Sequence, residues 1–172
     1  MMTKQEHWLF LVAVIFAFLV APSDGVQGQD GDTRVIDSNV LIQEWDGPYG
    51  GVPPWKSIKT EDFVAAFDRA IEMSSADIDR IANNPDPPTF DNTIVPLEKA
   101  GATLTRVSNI FGVYSSNLNL GSIPDIEAEV MPKLSKHNDS IMQNNKLFKR
   151  VAAVYEGDQM KQLDPAQQRL VD

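Results

Sequence analysis

Residues 81–101 read Ile-Ala-Asn-Asn-Pro-Asp-Pro-Pro-Thr-Phe-Asp-Asn-Thr-Ile-Val-Pro-Leu-Glu-Lys-Ala-Gly, and no other segment limits the fold so tightly. A proline drives its predecessor out of helical dihedrals, so Pro85 ends any helix arriving from the amino-terminal side near Asn83 and Asn84. Pro87 and Pro88 favour an extended left-handed stretch. Asp91, Asn92 and Thr93 supply the short polar side chains that open a helix, with Pro96 inside its first turn or kinking it slightly. Stop signal, stiff spacer and start signal follow one another, and two separate helices must flank them.

Those flanks carry the matching periodicity. Thr60 is placed to cap a helix, with Glu61 and Asp62 where the positive end of its dipole favours carboxylates. Phe63, Phe67, Ile71, Ile78 and Ile81, with Ala70 and Ser74 between them, form one apolar face over about six turns. Beyond the joint, Ile94, Leu97, Gly101, Leu104, Ser108 and Phe111 fall at heptad spacing with Val107, Tyr114 and Leu118, predicting one helix that Gly121 closes. The small Ala100, Gly101 and Ala102 allow a neighbouring helix to approach closely. Ser122 opens the next helix, with Pro124 early and Asp125 standing in a capping box where Glu is usual. Ile126, Val130, Leu134, Asn138 and Ile141 follow one turn apart. A fourth helix from about Asn145 to Glu156 is expected to bury Leu147, Phe148, Val151, Val154 and Tyr155. Asp164-Pro165-Ala166-Gln167 starts a fifth, which has no stop signal before Asp172 and is expected to be barely begun. The fold class expected is all-α, an antiparallel helical lobe over residues 60–172, truncated.

The amino-terminal third reads differently. Lys4 precedes an unbroken apolar run over residues 8–20, too short to span a bilayer of roughly 20 apolar residues and followed by Ala21-Pro22-Ser23-Asp24-Gly25. Residues 1–23 are therefore expected to be a cleaved signal peptide, which leaves no stable membrane anchor and sends the chain to the periplasm or outside the cell. Residues 24–38 are poor in apolar side chains and read as a flexible lead. In residues 39–59, Leu41, Ile42, Trp45, Tyr49, Val52 and Trp55 stand among Gly47, Pro48, Gly50, Gly51, Pro53 and Pro54. That density of breakers excludes a helix and the aromatics argue for an extended arm pinned to the helical body.

Charge and residue supply remove several kinds of chemistry. Lys+Arg 15 against Asp+Glu 24 gives a formal net charge of −9, without a basic run able to follow a phosphate backbone, so nucleic acid is not an expected partner. With no cysteine there is no disulfide, thiolate metal site, thiol nucleophile or lipidated anchor. His7 and His137 are the only histidines, and His7 belongs to the signal peptide. A zinc hydrolase needs two histidines four apart on a helix with an adjacent glutamate, and a serine hydrolase needs a histidine with its acid, so His137 is read as structural. Asp125, Glu127 and Glu129 cluster near a helix start and fit dipole complementarity better than paired acid–base work. Asp77 and Asp79 point in different directions. Gly50-Gly51-Val52-Pro53-Pro54 lacks the ending of a phosphate loop. Asn138-Asp139-Ser140 fits a glycosylation sequon, with meaning only in a eukaryotic secretory pathway. No catalytic, cofactor-binding or metal-ligating residue is assigned.

Four stretches nevertheless make a recognisable set. They are Asn39-Val40-Leu41 through Trp45-Asp46-Gly47-Pro48-Tyr49-Gly50-Gly51-Val52-Pro53-Pro54-Trp55; Ile81-Ala82-Asn83-Asn84-Pro85 with Pro88-Thr89-Phe90-Asp91-Asn92-Thr93-Ile94; Leu97-Glu98 with Leu104 and Arg106-Val107; and Pro132-Lys133-Leu134 with His137 and Leu147-Phe148-Lys149-Arg150-Val151. In order and spacing the set resembles the amino-terminal region of the thimet-oligopeptidase family of zinc peptidases, most closely its bacterial peptidyl-dipeptidase (dipeptidyl carboxypeptidase) branch. The doubled Gly50-Gly51, where that family has a single glycine, is the visible departure.

The resemblance implies a larger all-helical enzyme whose lobes enclose a channel for short peptides. In it a His-Glu-x-x-His helix and a further glutamate hold one zinc, and dipeptides leave from the carboxyl end. None of the positions matched here carries a ligand or catalytic residue of that family. The chain is therefore expected to be the leading portion of such an enzyme, inactive alone and lacking a carboxyl-terminal catalytic region. The alternatives are a non-catalytic helical peptide-binding or interaction module, or an enzyme completed in trans by another chain.

Overall fold

The computed structural model of the chain describes residues 38–47, 51–117 and 121–171. The expected signal peptide, nearly all of the flexible lead, and Pro48, Tyr49, Gly50 and Leu118 lie outside the described residues. Those described belong to one compact unit and are mostly helical, with no strand among them, in agreement with the all-α expectation.

Helix α1, Asp62–Ala82, is the axis of this unit. Its buried residues are Phe63, Ala66, Phe67, Ala70, Ser74, Ile78, Ile81 and Ala82, close to the face expected from the sequence, although Ile71 is only half-buried. The start differs. Glu61 occupies the cap position without a side-chain bond, and Thr60 contributes its carbonyl, 3.3 Å from the Phe63 N–H. Asp62 instead turns its carboxylate back to accept the Lys59 N–H at 3.0 Å. A turn at residues 59–62 delivers the chain already in helical dihedrals, so a side-chain cap at Thr60 has no place. The other end stops at Ala82, where Asn83 donates its backbone N–H to Asp79 and Ile81 carbonyls, as Pro85 requires.

The joint ends in a wide turn, Phe90–Ile94, in which the Val95 N–H reaches back five residues to the Phe90 carbonyl. Thr89 caps it reciprocally with Asn92: Thr89 Oγ1 accepts the Asn92 N–H at 3.1 Å and Asn92 Oδ1 accepts the Thr89 N–H at 2.8 Å. Helix α2, Val95–Lys99, follows with Pro96 in its first turn, where a missing N–H costs nothing. The long helix expected from here to Gly121 is interrupted. Ala100 is extended, Gly101 sits at φ 71°, and α3 runs over Ala102–Asn117. A Cβ on Gly101 would stand 2.9 Å from Ser74 Oγ of α1, so the glycine serves both the left-handed dihedral and the close approach. The break also divides the heptad. Leu97 packs with Ile78, Ile81 and Leu147, whereas Val107, Ile110 and Phe111 enter the main core with Leu104 and Tyr114.

Helix α4, Ile123–Met142, begins after Ser122 with Pro124 in its first turn. The expected capping box does not form: Ser122 is itself in the helical region and holds the start through its carbonyl, 3.0 Å from the Ile126 N–H. Helix α5, Asn145–Tyr155, is capped by Asn144, whose Oδ1 accepts the Lys146 and Leu147 N–H groups, each at 3.1 Å. Its buried face is Leu147, Arg150 and Val154, while Phe148 and Tyr155 are 68% and 54% exposed, contrary to expectation. After a 3₁₀ segment, Asp158–Gln162, helix α6 covers Pro165–Val171. Asp164 caps it through the Ala166 and Gln167 N–H groups at 2.8 and 2.9 Å, and Gln167 returns a bond to the Asp164 N–H, as its start signal predicts.

Helices α3 and α4 pack on α1 around Phe63 and Phe67. Phe111 meets both rings edge-on at 5.1 and 5.5 Å, and Tyr114 meets Phe63 at 5.1 Å, favourable quadrupole geometries inside a large apolar burial. Leu41 is fully buried in the same cluster and Ile58 nearly so. Arg106 of α3 donates to the Ile42 and Gln43 carbonyls at 2.9 and 3.1 Å and lies 4.8 Å over the Trp45 ring, tying residues 42–45 to the helices.

Candidate functional site

Two polar clusters are buried against α1. One surrounds His137 of α4, a nearly buried imidazole between neighbouring serines of α1. Its Nε2 is 2.9 Å from Ser74 Oγ and its Nδ1 3.3 Å from Ser75 Oγ. Burial favours the uncharged ring and lowers its pKa below the ordinary histidine value. A neutral ring donates from one nitrogen and accepts at the other, and hydroxyls on both sides satisfy either tautomer. Nucleophilic catalysis would need a carboxylate or its equivalent to orient the ring toward an accessible hydroxyl. Here Ser75 occupies that place and Ser74 is itself buried, so the arrangement ties α4 to α1.

The rim of this cluster is charged. Lys133 Nζ lies 2.7 and 3.0 Å from the two Asp68 oxygens and 3.0 Å from Glu129 Oε1, and those hydrogen bonds, Asp68 first, raise its pKa. Glu129, read from the sequence beside Asp125 and Glu127, thus faces a lysine one turn on; all three carboxylates are exposed. Asp77 pairs with Arg80 at 3.0 Å. An open groove of about 480 Å³ beside these groups includes Ile71, Ser75, Lys136 and His137 in its lining.

The second cluster was not legible as such in the sequence. Arg150 of α5 points into the joint. Its Nη1 donates to the Asn84 and Asp86 carbonyls at 2.8 and 3.0 Å, and its Nη2 to Asn92 Oδ1 at 2.9 Å and Thr93 Oγ1 at 3.3 Å. Nε is buried without a partner. Lys146 adds a bond to Asn83 Oδ1 at 2.6 Å. Gln159 accepts the Phe90 N–H at 3.2 Å and donates to the Pro88 carbonyl at 3.1 Å. Backbone groups in the proline-rich spacer have no ladder to join, and these side chains satisfy them from across the fold. The available signal was phase: position 150 recurs with Leu147 and Val154 on one helical face.

Among the described residues, no three of His, Cys, Asp and Glu come together in a way that could hold a metal ion. A zinc ion therefore has no fitting donor set there, and no reaction step is assigned to one. No helix among the described residues is long and apolar enough to cross a membrane.

No protein-family model matches the sequence. Individual proteins do. The chain is 30% identical to the dipeptidyl carboxypeptidase of Salmonella typhimurium over 137 residues, which is 80% of this chain and 20% of that protein. It is 32% identical to the dipeptidyl carboxypeptidase of Escherichia coli over 120 residues, 70% of this chain and 18% of the relative. Oligopeptidase A of Escherichia coli is 25% identical over 121 residues, again 70% and 18%. The chain thus matches about a fifth of the length of these curated relatives.

Proposed function

Because the chain belongs to the thimet-oligopeptidase family over the stretch it shares with these relatives, we propose that it is the amino-terminal helical portion of an exported, zinc-dependent peptidyl-dipeptidase or oligopeptidase acting on short peptides. The observation that carries this reading is the similarity to two dipeptidyl carboxypeptidases over most of this chain but only a fifth of theirs. In the whole enzyme the helices packed on α1 form part of the wall that admits oligopeptides and excludes folded proteins, and carboxyl-terminal dipeptides are the products.

Zinc and the water it activates belong to the remainder of the enzyme. His137 is engaged by two serines, and the acidic groups around it are committed to lysine or solvent. On this reading the chain alone is inactive. Residues 1–23 direct export, which sends the mature protein to the periplasm or outside the cell, and the acidity of the chain makes nucleic acid an unsuitable partner.

Two measurements test this reading. The purified chain should contain no zinc above background and release no dipeptide from an amino-blocked peptide; stoichiometric zinc with dipeptide release would overturn the assignment of chemistry elsewhere. Grafting residues 37–172 in place of the matched stretch of the Escherichia coli dipeptidyl carboxypeptidase should give a zinc enzyme that releases carboxyl-terminal dipeptides. A folded, zinc-loaded graft without that activity would refute the proposed role.

A further inference from the structure

Helix α5 is apolar on more of its circumference than the described fold covers. At about 100° per residue, Leu147, Arg150 and Val154 share the buried face, while Phe148 and Tyr155, two turns apart, share a stripe roughly a quarter-turn away. Ala152 lies on the same side, and Lys146, Lys149, Ala153 and Glu156 occupy the rest. Phe148 is 68% and Tyr155 54% exposed, the rings standing in solvent beside a helix already anchored by its other face. The two aromatics on one stripe are a larger apolar exposure than singly scattered residues produce.

The length of the relatives indicates what covers it. A chain corresponding to a fifth of a larger enzyme presents surfaces that the other four-fifths must meet, and the buried face of α5 is already occupied. We propose that the Phe148–Tyr155 stripe is the seam on which the remainder of the peptidase packs, through an apolar surface that encloses both rings. This rests on the reading above of the chain as one portion of such an enzyme. A second copy of this chain, as the competing occupant, would make the stripe a dimer interface.

The test compares the pair Phe148→Glu and Tyr155→Glu in two settings. In the free 172-residue chain both positions face solvent, so the double variant should keep the thermal midpoint of the parent within about 1 °C and bind less of a hydrophobic dye. In the graft onto the Escherichia coli enzyme the same pair should lower the midpoint by at least about 3 °C and the yield of active enzyme several-fold. An active graft indifferent to the double substitution overturns the seam while leaving the family role intact. A folded, zinc-loaded but inactive unsubstituted graft counts against the family role itself. A parent chain that sediments as a dimer, and a double variant that sediments as a monomer, would assign the stripe to a second copy and overturn the proposal.

Discussion

The two ends of α1 are held by different physics. Toward its amino terminus Phe63 and Phe67 are enclosed by Phe111, Tyr114, Leu41 and Val107, with almost no polar atom among them. Toward its carboxyl terminus a small aliphatic cluster of Ile78, Ile81 and Leu147 is backed by the Arg150 network, which grips the chain leaving the helix. Packing of the first kind depends on volume and accepts several arrangements of equal volume, whereas directed hydrogen bonds of the second kind fix where the next segment goes. The first end supplies stability and the second supplies direction.

Substitutions at each end sharpen that contrast. Phe67→Ala should be the most damaging, costing about 3–5 kcal/mol in denaturant unfolding of the purified chain because a ring is lost and a cavity left. Arg150→Met conserves bulk but leaves the Asn84 and Asp86 carbonyls without their donor, while Asn92 Oδ1 keeps the Thr89 N–H and the Thr93 hydroxyl, for about 2–4 kcal/mol, with faster amide exchange confined to residues 84–94. If it exceeded Phe67→Ala, or if exchange rose evenly along α1, the contrast between the ends would fail. Gly101→Ala should cost about 1–2 kcal/mol, since the left-handed dihedral and the approach to Ser74 both resist a methyl group.

The smallest effect is that of His137, between the two ends. Its folded pKa lies below that of the unfolded chain, so the unfolded state takes up the proton first. The stabilisation is complete above the ordinary histidine pKa of about 6.5 and is lost as pH falls from there through the lower folded value. Melting scans from pH 7.5 to 5.5 should show a decline that His137→Gln reduces; an unchanged slope would remove the imidazole as its source.

What could be read from the sequence follows the same division. Where an element is fixed by proline, by an aspartate start signal or by the apolar period of α1, its place was legible: the stop at Asn83, the start at Asp164, the buried face of α1. Three features were not. Gly101 fitted a heptad equally well as a small helical residue, because period alone cannot distinguish close packing from a left-handed dihedral. Phe148 and Tyr155 were assigned inward by hydrophobicity, yet Arg150 holds the inward phase, because the joint needed donors more than α5 needed another ring. The caps at Thr60 and Ser122 failed since the backbone enters both helices already turned. For function, residue supply and the set of matched stretches carried the reading, and the buried His137 pair added no chemistry to it.

Arg150 has one more consequence. Its four acceptors are two backbone carbonyls, an amide oxygen and a hydroxyl. None of them takes up a proton in any range where the fold survives. A joint closed by a carboxylate would loosen in acid, and an exposed ion pair would weaken in salt. This one answers to neither, so the angle it sets between α1 and the chain beyond does not depend on the acidity or the salt of the medium.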